Sequence, residues 1–385
     1  MLRWFNPAYI SAGLVAVLVG YTSSAAIIFQ ALQTLDAPRA ITDSWFLVLG
    51  LGMGITCIAL SLYYRQPILT AWSTPGAAIM VTGLSDMSIE AAVGAFLFSS
   101  VLLVSVGVSG LFERLVKMIP TTIAAALLAG VLTPFAIQAM AGLNNDLWLG
   151  LIMLISFFGS QLWWPRYSVL ITLSMGLLVA LQQNQNLFST INLHLANPVW
   201  VTPKFDITAI ISLGVPLFIV TMASQNLPGI AALRAANYQV PASPLVGWTG
   251  FTGLLTAPFG GFAYNLAAIT AAICMTDDVD KDPTQRFRAA VWAGGFYLLV
   301  GCFASSITSL FFALPKTLML MLAGLALMGT IASSLNTALA APQQRLAATI
   351  TFITTASGLV IAGIGSAFWG LVFGLLVNAV LERKR

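Results

Sequence analysis

The chain has 385 residues, 59% hydrophobic and only 7% charged, with a mean hydropathy of +0.93. Soluble domains carry about 25% charged residues, so this composition excludes a water-soluble globular protein and indicates a polytopic membrane protein. The formal charge of +4 does not mark a nucleic-acid partner, because the basic residues are scattered at helix ends and not clustered with aromatics.

The first hydrophobic run, Tyr9 to Leu32, is long enough to span a bilayer, and no cleavable leader is evident before it. Hydrophobic runs then follow at 44–63, a short 74–84, 91–112, 121–141, 147–164, 168–183, 207–235, 244–259, a short 264–276, 288–312, 316–335, 347–363 and 366–381. With 8–34 these make fourteen segments, and the longest polar connection, 182–205, divides them seven and seven. At about 20 residues per span they fit this length with short loops. The expected fold is an all-α polytopic membrane protein whose broken helices 3 and 10 each follow a short extended segment.

The halves echo each other. Pro120 with Leu128-Ala129-Gly130 matches Pro315 with Leu322-Ala323-Gly324, at offsets of 195 and 194. Ser23-Ser24 matches Ser224-Gln225 at 201, and Ala77-Ala78-Ile79 matches Ala267-Ala268-Ile269 at 190. An odd number of spans per repeat inserts the second half upside down, giving an inverted-topology repeat. With both termini cytoplasmic, Arg3, Arg65, Arg114, Lys117, Arg166, Arg234, Lys281, Arg286, Arg288, Arg345, Arg383, Lys384 and Arg385 lie inside, against Arg39, Lys204 and Lys316 outside. That asymmetry follows the positive-inside rule.

Short, interrupted hydrophobic segments at matching places in two halves point to a transporter's substrate site. In segment 3, Thr70 to Thr74 is a polar lead-in, Pro75 suits a first helical turn, and Gly76-Ala77-Ala78 adds little bulk. First-turn N–H groups are unpaired and carry partial positive charge, so Thr74, Gly76 and Ala77 are candidate anion-binding positions. Segment 10 repeats the pattern with Tyr264 and Asn265. In segments 1 and 8, Tyr21, Ser24, Gln225 and Asn226 place polar groups mid-membrane, where they need partners. Trp72, Phe262, Tyr264 and Tyr21 offer aromatic faces for a flat ring. These residues describe a binding site for a small anion.

No nucleophile–base pair or metal cluster is evident, so no catalytic centre, metal site or cofactor is expected. Cys57, Cys274 and Cys302 sit in apolar stretches, without CxxC spacing. Every acid falls in a loop or at a segment end, and His194 lies in the long external loop. The acidic run 277–282 reads as a solvated loop. Intramembrane proton relays use buried Asp, Glu or His, and none is evident.

The stretches Gly20–Ile28, Thr70–Ala78, Met222–Ile230 and Gly365–Leu371 resemble the BenE family, the bacterial benzoate transporters, over essentially the whole chain. The resemblance implies import of benzoate or a related small aromatic carboxylate with protons, across the bacterial inner membrane. That family is similar in turn to uracil permease and the sulfate/anion exchangers. This wider likeness implies a core domain of segments 1–4 and 8–11 (1–118 and 207–312). It also implies a gate domain of segments 5–7 and 12–14 (119–185 and 313–385), an external linker at 186–206, and a homodimer. Gln225 and Asn265 stand where the uracil-permease relatives carry acids, so the proton would travel on the substrate or through water. The alternatives are an uncoupled, channel-like anion pathway and a carrier of a nucleobase-like ring.

Overall fold

The computed structural model describes residues 2–83, 87–112, 114, 120–184, 194–361 and 364–383. Asp86, Glu113, Lys117, Lys384 and Arg385 lie outside the described residues, as do the start of the external linker and the link between segments 4 and 5.

The chain is almost wholly helical. Helix α1 (Pro7–Thr34) starts on an Asn6 side chain that accepts from the Ala8 N–H, with Pro7 in the first turn, where its missing N–H costs nothing. It is followed by α2 (Arg39–Tyr64), strand β1 (Thr70–Ala71), α3 (Thr74–Gly83) and α4 (Ile89–Ser109). Then come α5 (Thr121–Gly142), α6 (Leu147–Trp163) and α7 (Ser168–Gln183). The second half holds α8 (Ile207–Arg234), α9 (Ala242–Thr256), β2 (Asn265–Leu266), α10 (Ile269–Cys274), α11 (Phe287–Cys302) and α12 (Ala304–Ala313). It ends with α13 (Lys316–Ala338), α14 (Arg345–Ala356) and α15 (Ser366–Arg383).

Six helices, α1, α2, α4, α5, α8 and α13, are long and apolar enough to cross a membrane. The pair α11 and α12 qualifies together but bends by 66° at Phe303. Helices α6, α7 and α15 are apolar but shorter. Helix α8 contains two wide π turns, at Ile210–Gly214 and Thr221–Asn226; such turns free backbone groups and recur at functional sites.

Packing joins the halves. Helix α2 lies on α11, α4 on α9, α5 on α13 and α14, and α14 on α15. Two of these crossings are closed by glycine against glycine: a Cβ on Gly50 would lie 2.6 Å from the Gly301 Cα, and one on Gly107 would lie 2.2 Å from the Gly247 Cα. Lipid is as apolar as leucine, so close backbone approach through small residues is what holds membrane helices together.

The structure moves some expected boundaries. Segment 2 begins at Arg39, five residues before the hydrophobic run, which takes Asp43 inside the helix. Asp43 is buried and accepts hydrogen bonds from Ser305 and Thr308, correcting the view that every acid sits at a segment end. The acidic run 277–282 is the solvated loop expected, with Asp277, Asp278 and Asp282 exposed, and it is anchored at two points. Tyr9 donates to Asp280, and Arg286 pairs with Asp277. The Tyr9 contact, then the Asp282 N–H, holds the Asp280 carboxyl below the usual carboxylate range.

Candidate functional site

The two polar lead-ins meet. Strands β1 and β2 pair antiparallel, Thr70 opposite Leu266 and Ala71 opposite Asn265. Each is pinned from behind. The Thr70 hydroxyl shares a 2.6 Å hydrogen bond with Thr56 and donates to the Met53 carbonyl, while its N–H reaches the Cys57 sulfur at 3.1 Å. On the other side the Leu266 N–H donates to the Asn226 Oδ1 at 2.9 Å, and the Ala267 N–H to the Leu69 carbonyl at 2.9 Å.

Each strand opens four residues before a short helix: Thr70 before Thr74, Asn265 before Ile269. The strand pair and both helix starts therefore stand 195 residues apart, the offset of Pro120 and Pro315. The Ala-Ala-Ile match at 190 is out of register by five residues, because runs of Ala recur too often in this chain to fix a register.

Between these helix starts and helices α5, α6, α7 and α13 lies a cavity of about 1000 Å³. Its deep end is lined by Ser24, Trp72, Thr74, Gln225, Ala268 and Thr270, with the Tyr297 side chain beside them. Its other end is bounded by the exposed residues Thr121, Gln161, Pro165 and Thr337.

Of the nine residues expected at the site, Ser24, Thr74 and Gln225 line the cavity. Ser24 is oriented by its neighbours: the Trp72 Nε1–H donates to its hydroxyl at 2.7 Å, and the hydroxyl donates to the Gly20 carbonyl at 2.9 Å. The Gln225 side chain makes no hydrogen bond to another described side chain or backbone group, which leaves its amide available to a ligand.

The other six stand behind the wall. The Tyr21 ring packs edge-on against Trp72, 4.7 Å between centroids, and its hydroxyl is buried without a partner. Gly76 and Ala77 are fully enclosed; a Cβ on Gly76 would lie 2.4 Å from Leu217, so the glycine serves packing. Their N–H groups are also taken, Gly76 by the Ser73 hydroxyl at 3.1 Å and Ala77 by the Ser73 carbonyl at 2.9 Å. Asn226 holds β2, as above. Asn265 is a strand residue, not a helix start; its amide nitrogen donates to the Ala263 carbonyl while its oxygen is buried unpartnered. Tyr264 points into α2, its hydroxyl donating to the Val48 carbonyl at 2.8 Å, with its ring where a Gly52 Cβ would sit at 2.4 Å. Among the four expected ring-facing aromatics only Trp72 lines the cavity; Phe262 packs on Trp45 and Phe96.

The residues missed are those of the second helix start, Ala267 to Thr270, and Tyr297. The 195 offset carries the signal for the first group, since it equates Thr74 with Ile269 and Pro75 with Thr270. The first N–H groups of a helix have no intrahelical partners, and in α10 no capping side chain supplies one. Beside them the Thr270 hydroxyl, in a residue only 7% exposed, has no partner either. An uncapped helix start with an unpaired donor, facing a cavity, can receive an anion.

Among the described residues no three His, Cys, Asp or Glu side chains form a metal-binding group. No Asp or Glu is among the described residues lining the cavity.

The family profile described as BenE, benzoate membrane transport protein, matches residues 3–380. The inner membrane protein YdcO of Escherichia coli (strain K12) is 45% identical over 390 residues, covering 100% of both chains. The benzoate membrane transport protein of Acinetobacter baylyi (strain ATCC 33305 / BD413 / ADP1) is 35% identical over 374 residues, 97% of this chain and 95% of that one. Among solved structures, the transmembrane domain of a cyanobacterium bicarbonate transporter, BicA, aligns over 98% of each chain with a TM-score of 0.54 at 13% identity. SLC26A9 aligns over 97% of this chain and 65% of its own, with a TM-score of 0.59 at 13% identity. At such identities these structures speak to the fold alone.

Proposed function

The chain belongs to the BenE family of benzoate membrane transport proteins, and from that premise we propose that it imports benzoate or a related small aromatic carboxylate across the bacterial inner membrane. It is a multi-pass membrane transport protein, not an enzyme. The observation that carries the substrate reading is the strand pair, which brings two interrupted helices to the deep end of one cavity.

The carboxylate would accept from the open first turn of α10 and the Thr270 hydroxyl. The dipole of α3 adds positive potential from the opposite side, although Ser73 already occupies the N–H groups of Gly76 and Ala77. Ser24, Thr74 and Gln225 would contact the substrate, and its ring would lie toward Trp72. Tyr21, Asn226, Tyr264 and Asn265 hold the wall and strands in place. With no Lys or Arg among the described lining residues, helix starts and neutral donors do the work of a cation.

The fourteen segments form two inverted repeats of seven in this reading. The pairings α2 with α11 and α4 with α9 support it, because exchanging the halves turns one pair into the other. The core comprises 1–118 and 207–312, and the gate 119–185 and 313–385. Alternating access is relative movement of the two. Pro165 at the cavity mouth precedes Arg166 in sequence, so under the positive-inside rule the mouth would face the cytoplasm, as would both termini.

Without an acid on the cavity wall, the proton enters on the substrate or through water. The same observation favours a second reading, an uncoupled anion pathway. Uptake of labelled benzoate into proteoliposomes, with and without an inward proton gradient, separates them. Gradient-driven accumulation is the expected result; equilibration only to the electrochemical limit supports the channel-like pathway, and no uptake overturns both.

A further inference from the structure

Past the deep end, α1 and α5 line no more of the cavity, and a side-chain hydrogen bond joins the two helices there. Beyond Ser24, residues Ala25 to Phe29 of α1 are at most 2% exposed, and on α5 Phe135 and Ala139 are as deeply buried. Beyond these buried residues the part-buried Gln30 Nε2–H donates to the Gln138 Oε1 at 3.0 Å. Gln30 lies six residues past Ser24, and Gln138 six residues past Leu132, the last cavity-lining positions on α1 and α5. At 1.5 Å per residue both stand about 9 Å beyond the deep end. Of the side-chain hydrogen bonds between described residues, this one joins segments 1–4 and 8–11 to segments 5–7 and 12–14.

We propose that Gln30 and Gln138 form the outer latch of the transporter, closed in this conformation and broken once in each cycle. The proposal rests on the core-and-gate reading above. An amide pair suits the task. Each partner is neutral, so neither leaves a charge stranded in the membrane when the bond opens, as a separated ion pair would. Bonds of this kind between membrane helices bias an equilibrium by about threefold on average and about twentyfold at most. That is enough to favour one state and too little to trap it. Both glutamines act through conformation; neither lines the cavity, so neither is expected to touch substrate.

The test uses the full-length chain with Cys302 replaced by serine and a reporter, Ser333→Cys, at the exposed mouth of the cavity. Gln30→Leu, Gln138→Leu and the double variant should each lower the maleimide labelling rate of the reporter by the same factor, at most about threefold, with unchanged thermal stability. Equal single and double effects mark one shared bond. Additive effects, or labelling equal to that of the parent, overturn the proposal. Separately, in the chain without the reporter, Gln30→Cys with Gln138→Cys should be bridged by a reducible bifunctional methanethiosulfonate long enough to replace both amide side chains, should stop benzoate uptake, and should recover on reduction. Failure to cross-link, or full uptake while cross-linked, also overturns it. Labelling needs no substrate, so a parent that takes up no benzoate would defeat the substrate reading while the labelling result still judges the latch.

Discussion

The stretch from Thr70 to Gly76 and the stretch from Asn265 to Ala271 face each other across one antiparallel pair, yet their helix starts are finished in opposite ways. On the first side Ser73 caps α3, and Thr221 reaches the same hydroxyl at 3.2 Å. On the second side Ala268 precedes a helix of six residues with no side-chain cap. The first start is satisfied by its own chain, whereas the second has donors to spare. In the proposed repeat, matching starts thus make the proposed site asymmetric, with a capped helix start on one side and a helix start without a side-chain cap on the other.

The sharpest way to break this comparison is Thr270→Val, which keeps the shape and removes the hydroxyl. Loss of a hydrogen bond to a charged group costs about 1.5–3 kcal/mol, so benzoate affinity by calorimetry should fall about ten- to a hundredfold with little change in Tm. Unchanged affinity would move the carboxylate away from α10. Next, Asn226→Leu leaves the buried Leu266 N–H without its acceptor. It should lose about 1–3 kcal/mol of stability and release β2, seen as faster amide exchange at Leu266 and Ala267; normal protection there would show that the strand holds without Asn226.

Ser73→Ala uncaps α3 and should cost about 1 kcal/mol in thermal unfolding. It also makes the first helix start resemble the second, so benzoate affinity should hold or rise. A marked fall would mean that Ser73 itself binds the substrate. The smallest effect expected is for Trp72→Phe, which removes the Nε1–H donated to Ser24 while keeping an aromatic ring. One neutral hydrogen bond is worth about 0.5–1.5 kcal/mol. The consequence should appear in the affinity for substrate; if only Tm moves, Trp72 is structural.

Much of this was readable in the amino-acid order. Composition gives the membrane, and the polar, Pro- and Gly-bearing breaks at Thr74–Gly76 and near Asn265 give the interrupted segments. What the order hides is register and orientation. Ala77-Ala78-Ile79 and Ala267-Ala268-Ile269 look equivalent, but strand pairing places the true partners five residues away. Tyr264 and Asn265 stand beside the site in sequence; in space Tyr264 fills the slot left by Gly52, from a helix more than 200 residues earlier. Gly76 reads as an opening for an anion when only its neighbours in sequence are visible, and as a packing contact once Leu217 is known to touch it. Ser73 illustrates the same limit. A serine before a Pro-initiated turn is an ordinary cap, and its competition with a ligand for the same N–H groups becomes visible only when the bonds are drawn.

The central claim is that the second helix start receives the substrate carboxylate. An experimental structure of the protein with bound benzoate tests it most directly. The carboxylate is predicted within hydrogen-bond distance of the Thr270 hydroxyl and the first-turn N–H groups of α10, with the ring toward Trp72. Benzoate bound elsewhere, or with its carboxylate toward the cavity mouth, would contradict it.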